Sequence, residues 1–89
     1  MIERPRGTRD FTPEDMGKMR YVKDIMRRVS DNFGFREIST PTFESSELFT
    51  MRSGPEIVEQ MYTFKDKKNR ELALRPELTA SVIRFYLDK

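Results

Sequence analysis

Residues 61–80 read Met-Tyr-Thr-Phe-Lys-Asp-Lys-Lys-Asn-Arg-Glu-Leu-Ala-Leu-Arg-Pro-Glu-Leu-Thr-Ala, and the plan of the chain is clearest here. Two runs suited to strands, Met61–Phe64 and Glu71–Leu74, flank the polar segment Lys65-Asp66-Lys67-Lys68-Asn69-Arg70, whose residues favour a turn, so a hairpin is predicted. Pro76 offers no amide donor and holds Arg75 extended, which closes the second strand. From Leu78 onward, Val82, Ile83, Tyr86 and Leu87 recur with Leu78 at helical spacing. A strand therefore runs through a proline into a helix, a junction where side chains and oriented amides commonly meet a ligand. Glu77 stands at that junction, where a carboxylate can bind an ammonium group, and the Thr79 hydroxyl can add a second contact. The same residues also suit plain helix stabilisation, with Glu77 at the positive end of the macrodipole and Thr79 as N-cap.

Upstream, Phe35–Thr40 alternates apolar and polar side chains with some loss of phase, which predicts a short strand ended by Pro41. Ser45 or Ser46 can cap a short helix through Met51, broken by Ser53-Gly54-Pro55, and Ile57–Gln60 is too short to assign. Further back, Thr12 caps a long helix that begins at Pro13, with Glu14 and Asp15 in its first turn and Phe11 and Met16 at staple positions. Met19, Val22, Met26, Val29 and Phe33 line one apolar face, widened by Tyr21 and Ile25, and Gly34 supplies the stop. Residues Met1 to Phe11, with Pro5 and Gly7, read as an irregular arm. The last helix has no end signal before Asp88-Lys89, so the chain is expected to be part of something longer.

Composition narrows the chemistry. The 89 residues contain no Cys, His or Trp, and 17 Lys and Arg stand against 15 Asp and Glu. Without Cys or His there are no disulfides, thiolate nucleophiles or Cys-type zinc sites, and the best neutral-pH proton carrier is missing. Leu, Ile, Val and Phe make up about 24% of the chain, above the range of disordered sequences, so one compact domain with a small core is expected. The charged amino terminus has no apolar run of signal or membrane-span length, which predicts a soluble intracellular protein with no membrane contact. A net charge of +2 is too mild to imply nucleic-acid binding. The cluster Lys65, Lys67, Lys68 and Arg70 lacks interleaved aromatics and reads as a solvated turn. The fold class expected is α+β, a mostly antiparallel sheet flanked by helices and incomplete by itself.

Four segments in order change the weight of these readings. Pro5-Arg6-Gly7-Thr8-Arg9-Asp10 with Pro13, Gly34-Phe35-Arg36-Glu37-Ile38-Ser39-Thr40-Pro41 after the helix, Met61-Tyr62-Thr63-Phe64, and Leu74-Arg75-Pro76-Glu77-Leu78-Thr79-Ala80 together resemble the histidyl-tRNA synthetases, class II enzymes, over essentially the whole chain. The resemblance implies that residues 1–89 are the amino-terminal part of the class II catalytic domain. The helix-strand-Pro unit from Pro13 to Pro41 would be motif 1, at a homodimer interface that includes Phe35, Ile38 and Pro41. Glu77 and Thr79 would hold the α-amino group of histidine.

The family joins histidine to ATP as an adenylate and passes it to tRNA, using ATP, Mg2+ and arginines of motifs 2 and 3, which lie past Lys89. The resemblance thus implies a cytoplasmic ligase whose partners are histidine, ATP and tRNA. No catalytic residue and no metal ligand fall within these 89 residues, and the polypeptide alone is expected to be inactive and to bind neither ATP nor Mg2+. Many family members have Gly where this chain has Leu78, and leucine narrows the backbone freedom beside Glu77. The alternatives are the non-catalytic, synthetase-like regulatory subunit of ATP phosphoribosyltransferase, or a small RNA-binding or dimerisation module.

Overall fold

A computed structural model describes residues 1–88, with Arg52 described in its backbone only. Lys89, the last residue of the expected unfinished helix end, lies outside the described residues. The chain divides into two units, Met1–Glu37 and Ile38–Lys89, where composition predicted one compact domain.

In the first unit, a turn closes from the Thr8 amide to the Pro5 carbonyl at 3.2 Å, with Gly7 at φ 83°. Arg9 lies 4.9 Å from the centre of the Phe11 ring and pairs with Asp15 at 3.2 Å. Helix α1 then runs Pro13–Asn32. Its start is a reciprocal capping box: the Asp15 amide donates to the Thr12 hydroxyl and the Thr12 amide donates to the Asp15 carboxylate, two otherwise orphan donors satisfied at once. Its end is the glycine stop that the sequence predicts. Gly34 takes φ 84° and the amides of Gly34 and Phe35 donate to the Asp31 and Ser30 carbonyls, each at 3.0 Å, the two bonds of a left-handed helix stop. No residue of α1 is buried.

The second unit carries strand β1 Phe43–Ser45, helix α2 Ser46–Ser53, a 3-10 segment Pro55–Gln60, strands β2 Thr63–Lys65 and β3 Glu71–Leu74, and helix α3 Thr79–Leu87. The sheet is antiparallel with order β1-β3-β2, so the predicted hairpin forms and its second strand becomes the central one. Phe43 faces Leu74, and Thr63 faces Ala73. Ala73 is fully buried and meets Phe49 and Ala80 in a core flanked by Leu48, Ile57 and Met61. The ring of Phe49 is the largest apolar side chain in that core, and its burial contributes roughly 1.5–3 kcal/mol. On the other side of the sheet Phe43 and Phe64 touch edge-to-face at 5.6 Å, and both remain exposed.

One predicted element is displaced. Phe35–Thr40 forms no strand, and pairing begins at Phe43, two residues beyond Pro41. The partner explains the shift: β3 ends at Leu74, opposite Phe43, and further back Pro41 has no amide to offer a ladder. Alternation in 35–40 therefore lacks a strand to pair with, and the proline precedes the strand instead of ending it.

Candidate functional site

The junction between β3 and α3 is held from both sides. The Leu74 amide donates to the Tyr62 carbonyl at 2.9 Å and the Arg75 amide to the Thr42 carbonyl at 3.0 Å. Pro76 then leaves the ladder, and Glu77 turns its carboxylate onto the start of α3. The Thr79 amide donates to Glu77 Oε2, and the Ala80 amide donates to Oε1 and Oε2 at 3.2 and 3.3 Å. Leu78 occupies the N-cap position without a side-chain bond, so Glu77 supplies the cap from one residue further back. Thr79 is the first helical residue, not the N-cap that the stabilisation reading gave it.

That arrangement leaves chemical capacity unused. A carboxylate offers about four acceptor sites over two oxygens, and among the described residues only two donors, the amides of Thr79 and Ala80, engage it. Glu77 is exposed, so a further donor can reach its carboxylate. The Thr79 hydroxyl makes no hydrogen bond among the described residues and is also exposed. Leu78 has φ −101° and ψ −20°, ordinary right-handed angles, so a leucine fits there without strain. Beside it a shallow recess is lined by Ile38, Ser39, Thr40, Arg75, Leu78 and Val82.

Arg75 was not singled out by sequence reasoning, although it sits in the Arg-Pro-Glu segment. Its Nη1 donates to the Thr40 carbonyl at 3.0 Å, the Pro41 carbonyl at 3.3 Å and the Thr40 hydroxyl at 3.4 Å. A second unpredicted tie is the ion pair of Glu44 with Arg84, at 3.0 Å, which joins β1 to α3 with the Glu44 side chain only 9% exposed. At the hairpin tip Asp66 accepts from the amides of Lys68 and Arg70, each at 2.9 Å, and from Arg70 Nε at 2.6 Å. The Arg70 amide bond, with the guanidinium beside it, holds the Asp66 carboxyl below its ordinary value of 3.8. Asn69 adopts φ 63°, which asparagine tolerates in such turns. Of the expected interface residues, Phe35 belongs to the first unit and Ile38 and Pro41 to the second; all three are exposed. No three metal-ligating side chains converge among the described residues.

The family profile described as histidyl-tRNA synthetase matches residues 7–88. The histidine–tRNA ligase of Archaeoglobus fulgidus is 57% identical over 88 residues, covering 99% of this chain and 22% of that protein. Apo histidyl-tRNA synthetase of S. aureus superposes with a TM-score of 0.82 at 45% identity, covering 97% of this chain and 23% of the other. A Bacillus halodurans structure described as an ATP phosphoribosyltransferase regulatory subunit/histidyl-tRNA synthetase superposes with a TM-score of 0.77 at 32% identity, covering 96% and 22%. The chain thus spans about a fifth of the length of the relatives it matches.

Proposed function

Because this chain belongs to the histidyl-tRNA synthetase family, we propose that its 89 residues serve as the amino-terminal part of a class II catalytic domain, in a ligase that activates histidine with ATP and transfers it to tRNA. Within that enzyme Glu77 and Thr79 hold the α-ammonium group of histidine. The observation that carries this role is the exposed Glu77 carboxylate, oriented by two helix amides and engaged by no other donor among the described residues. An ammonium approaching that carboxylate makes a charge-assisted hydrogen bond, stronger than a neutral one, and the Thr79 hydroxyl oxygen accepts a further hydrogen bond from the same group.

The family reaction uses ATP and Mg2+, and both are assigned to parts of the enzyme other than these residues. ATP brings the activating phosphate; this chain's own contribution is to bind and orient the amino acid. The enzyme works as a homodimer whose interface includes α1 and residues Phe35, Ile38 and Pro41. Exposed apolar side chains on α1, among them Val22, Met26 and Val29, and Phe33 just past its end, support that interface. No helix among the described residues is long and apolar enough to cross a membrane. The regulatory-subunit alternative has less support, since the relative bearing that description is 32% identical against 57% for the archaeal ligase.

A chimera tests the reading. Residues 1–89 replace the matching segment of the archaeal ligase, and histidine-dependent ATP–pyrophosphate exchange is measured. The chimera is expected to be active and its Glu77→Ala variant to lose at least tenfold in kcat/KM for histidine. A folded, inactive chimera, or a Glu77→Ala variant with unchanged kcat/KM, overturns the proposal.

A further inference from the structure

We infer that Arg75 is a positioning residue for the ammonium site: through its guanidinium it fixes the strand end from which Glu77 projects. The inference rests on the assignment of Glu77 above. Between the Arg75 amide, bonded to Thr42, and the cap formed by Glu77 lie Pro76, Glu77 and Leu78. Pro76 has no N–H, and the amides of Glu77 and Leu78 donate no hydrogen bond among the described residues. The direction of this short span is therefore set by its two anchors.

At the α3 end the anchor is the Glu77 carboxylate itself, which must also serve the substrate. At the β3 end it is Arg75. Its backbone amide continues the ladder by one residue, and its Nη1 reaches the Thr40 and Pro41 carbonyls and the Thr40 hydroxyl. The guanidinium takes over where the sheet cannot continue. Residues 40 and 41 present carbonyls toward Arg75, but β3 has turned away into Pro76 and Pro41 has no donor to return. The planar, permanently charged guanidinium holds the two hydrogens of Nη1 in a fixed plane, and they are shared among two carbonyls and a hydroxyl; a lysine ammonium on a flexible stem does not fix direction in the same way. Arg75 is half-buried and its bonds span about 35 residues of sequence, so they define tertiary placement and not a local turn.

The test uses Arg75→Lys and Arg75→Gln in the chimera, with two ligands: histidine, and imidazolepropionate, which lacks the α-amino group. Displacing a reacting or binding group by about 1 Å is enough to lose up to 10²-fold. Arg75→Lys is expected to raise KM for histidine roughly tenfold while KM for ATP and the inhibition constant of imidazolepropionate stay within about twofold, and Arg75→Gln to do the same more strongly. In the 89-residue chain, the amides of Thr79 and Ala80 are expected to exchange with solvent faster in both variants. A merely structural role would lower the active fraction, and hence kcat, with KM for histidine unchanged, and that result overturns the inference. Equal losses for histidine and imidazolepropionate overturn it too. If Glu77→Ala leaves histidine kinetics untouched, the ammonium assignment itself fails, a result separable from an Arg75 effect alone.

Discussion

Glu77→Gln separates the cap that the carboxylate makes from the ammonium contact proposed for it. Glutamine keeps a carbonyl oxygen that can accept from the Thr79 or Ala80 amide, so it preserves part of the cap. It loses the negative charge at the helix start, a change of about 0.3–1 kcal/mol in stability. Toward an ammonium group the change is larger, because a hydrogen bond to a charged partner contributes about 1.5–3 kcal/mol. Glu77 is exposed, which places it toward the lower half of that range, near 2 kcal/mol, or roughly 30-fold in affinity. The assay is exchange kinetics of the chimera with histidine, paired with inhibition by imidazolepropionate. Histidine kcat/KM is expected to fall about 30-fold while imidazolepropionate, having no ammonium, binds within about twofold of its original strength. Glu77→Ala supplies the contrast: it removes every acceptor, so both the cap, about 0.5–2 kcal/mol, and the ammonium contact disappear. If Glu77→Gln weakens histidine and imidazolepropionate by the same factor, the carboxylate only caps the helix and the reasoning fails.

Three further outcomes are expected. The 89-residue chain alone should show no histidine-dependent ATP–pyrophosphate exchange above its Glu77→Ala variant, and a clear excess would contradict the assignment of ATP to other parts of the enzyme. The Glu44–Arg84 pair should respond asymmetrically: Arg84→Met leaves a nearly buried carboxylate without a partner, approaching the roughly 3 kcal/mol loss of a broken buried pair. Glu44→Gln leaves a guanidinium that is 32% exposed and still 3.4 Å from Asp88, and should lose only about 1 kcal/mol; amide exchange at Ala73 and Val82 reads both, and equal losses would count against the geometry. Finally, the Asp66 carboxyl lies below its ordinary 3.8, so its contribution to the turn is present above that value and lost as pH falls through the lowered one. The Lys68 and Arg70 amide resonances, followed from about pH 6 to about pH 2, should move together at the acid end, and Asp66→Asn should abolish that step.

Local chemistry made much of this fold legible before any coordinates. Thr12, Pro13 and Gly34 specify both ends of α1 by side-chain and backbone geometry confined to a few neighbouring residues, and the helix runs Pro13–Asn32 as they require. The hairpin was equally plain, since Lys65–Arg70 interrupts two strand-forming runs. The strand before Pro41 was misplaced because alternation reports a face, whereas a strand also needs a partner, and where β3 ends is a long-range fact. Arg75 and the Glu44–Arg84 pair were missed for the same reason. Their partners lie 35 and 40 residues away, and no spacing rule connects them. Glu77 is legible as a candidate because a carboxylate between Pro and a helix has few roles, but in the sequence alone helix stabilisation and an ammonium contact stand as rivals.

The geometry shows why those roles are compatible. A helix start is the wrong electrostatic place for a cation: the partial positive charge there opposes an ammonium by about 0.3–1 kcal/mol. Yet a free glutamate side chain must give up about 1.5–2 kcal/mol of rotamer freedom when it is fixed against a ligand. In this chain the Thr79 and Ala80 amides have already fixed it, so that loss is met in folding and not at binding. The gain in order exceeds the dipole penalty, and the capped carboxylate meets an amine more strongly than a mobile one would at the same depth. The two anchors then divide the labour: the helix amides orient the carboxylate, and Arg75 sets the strand end from which it departs.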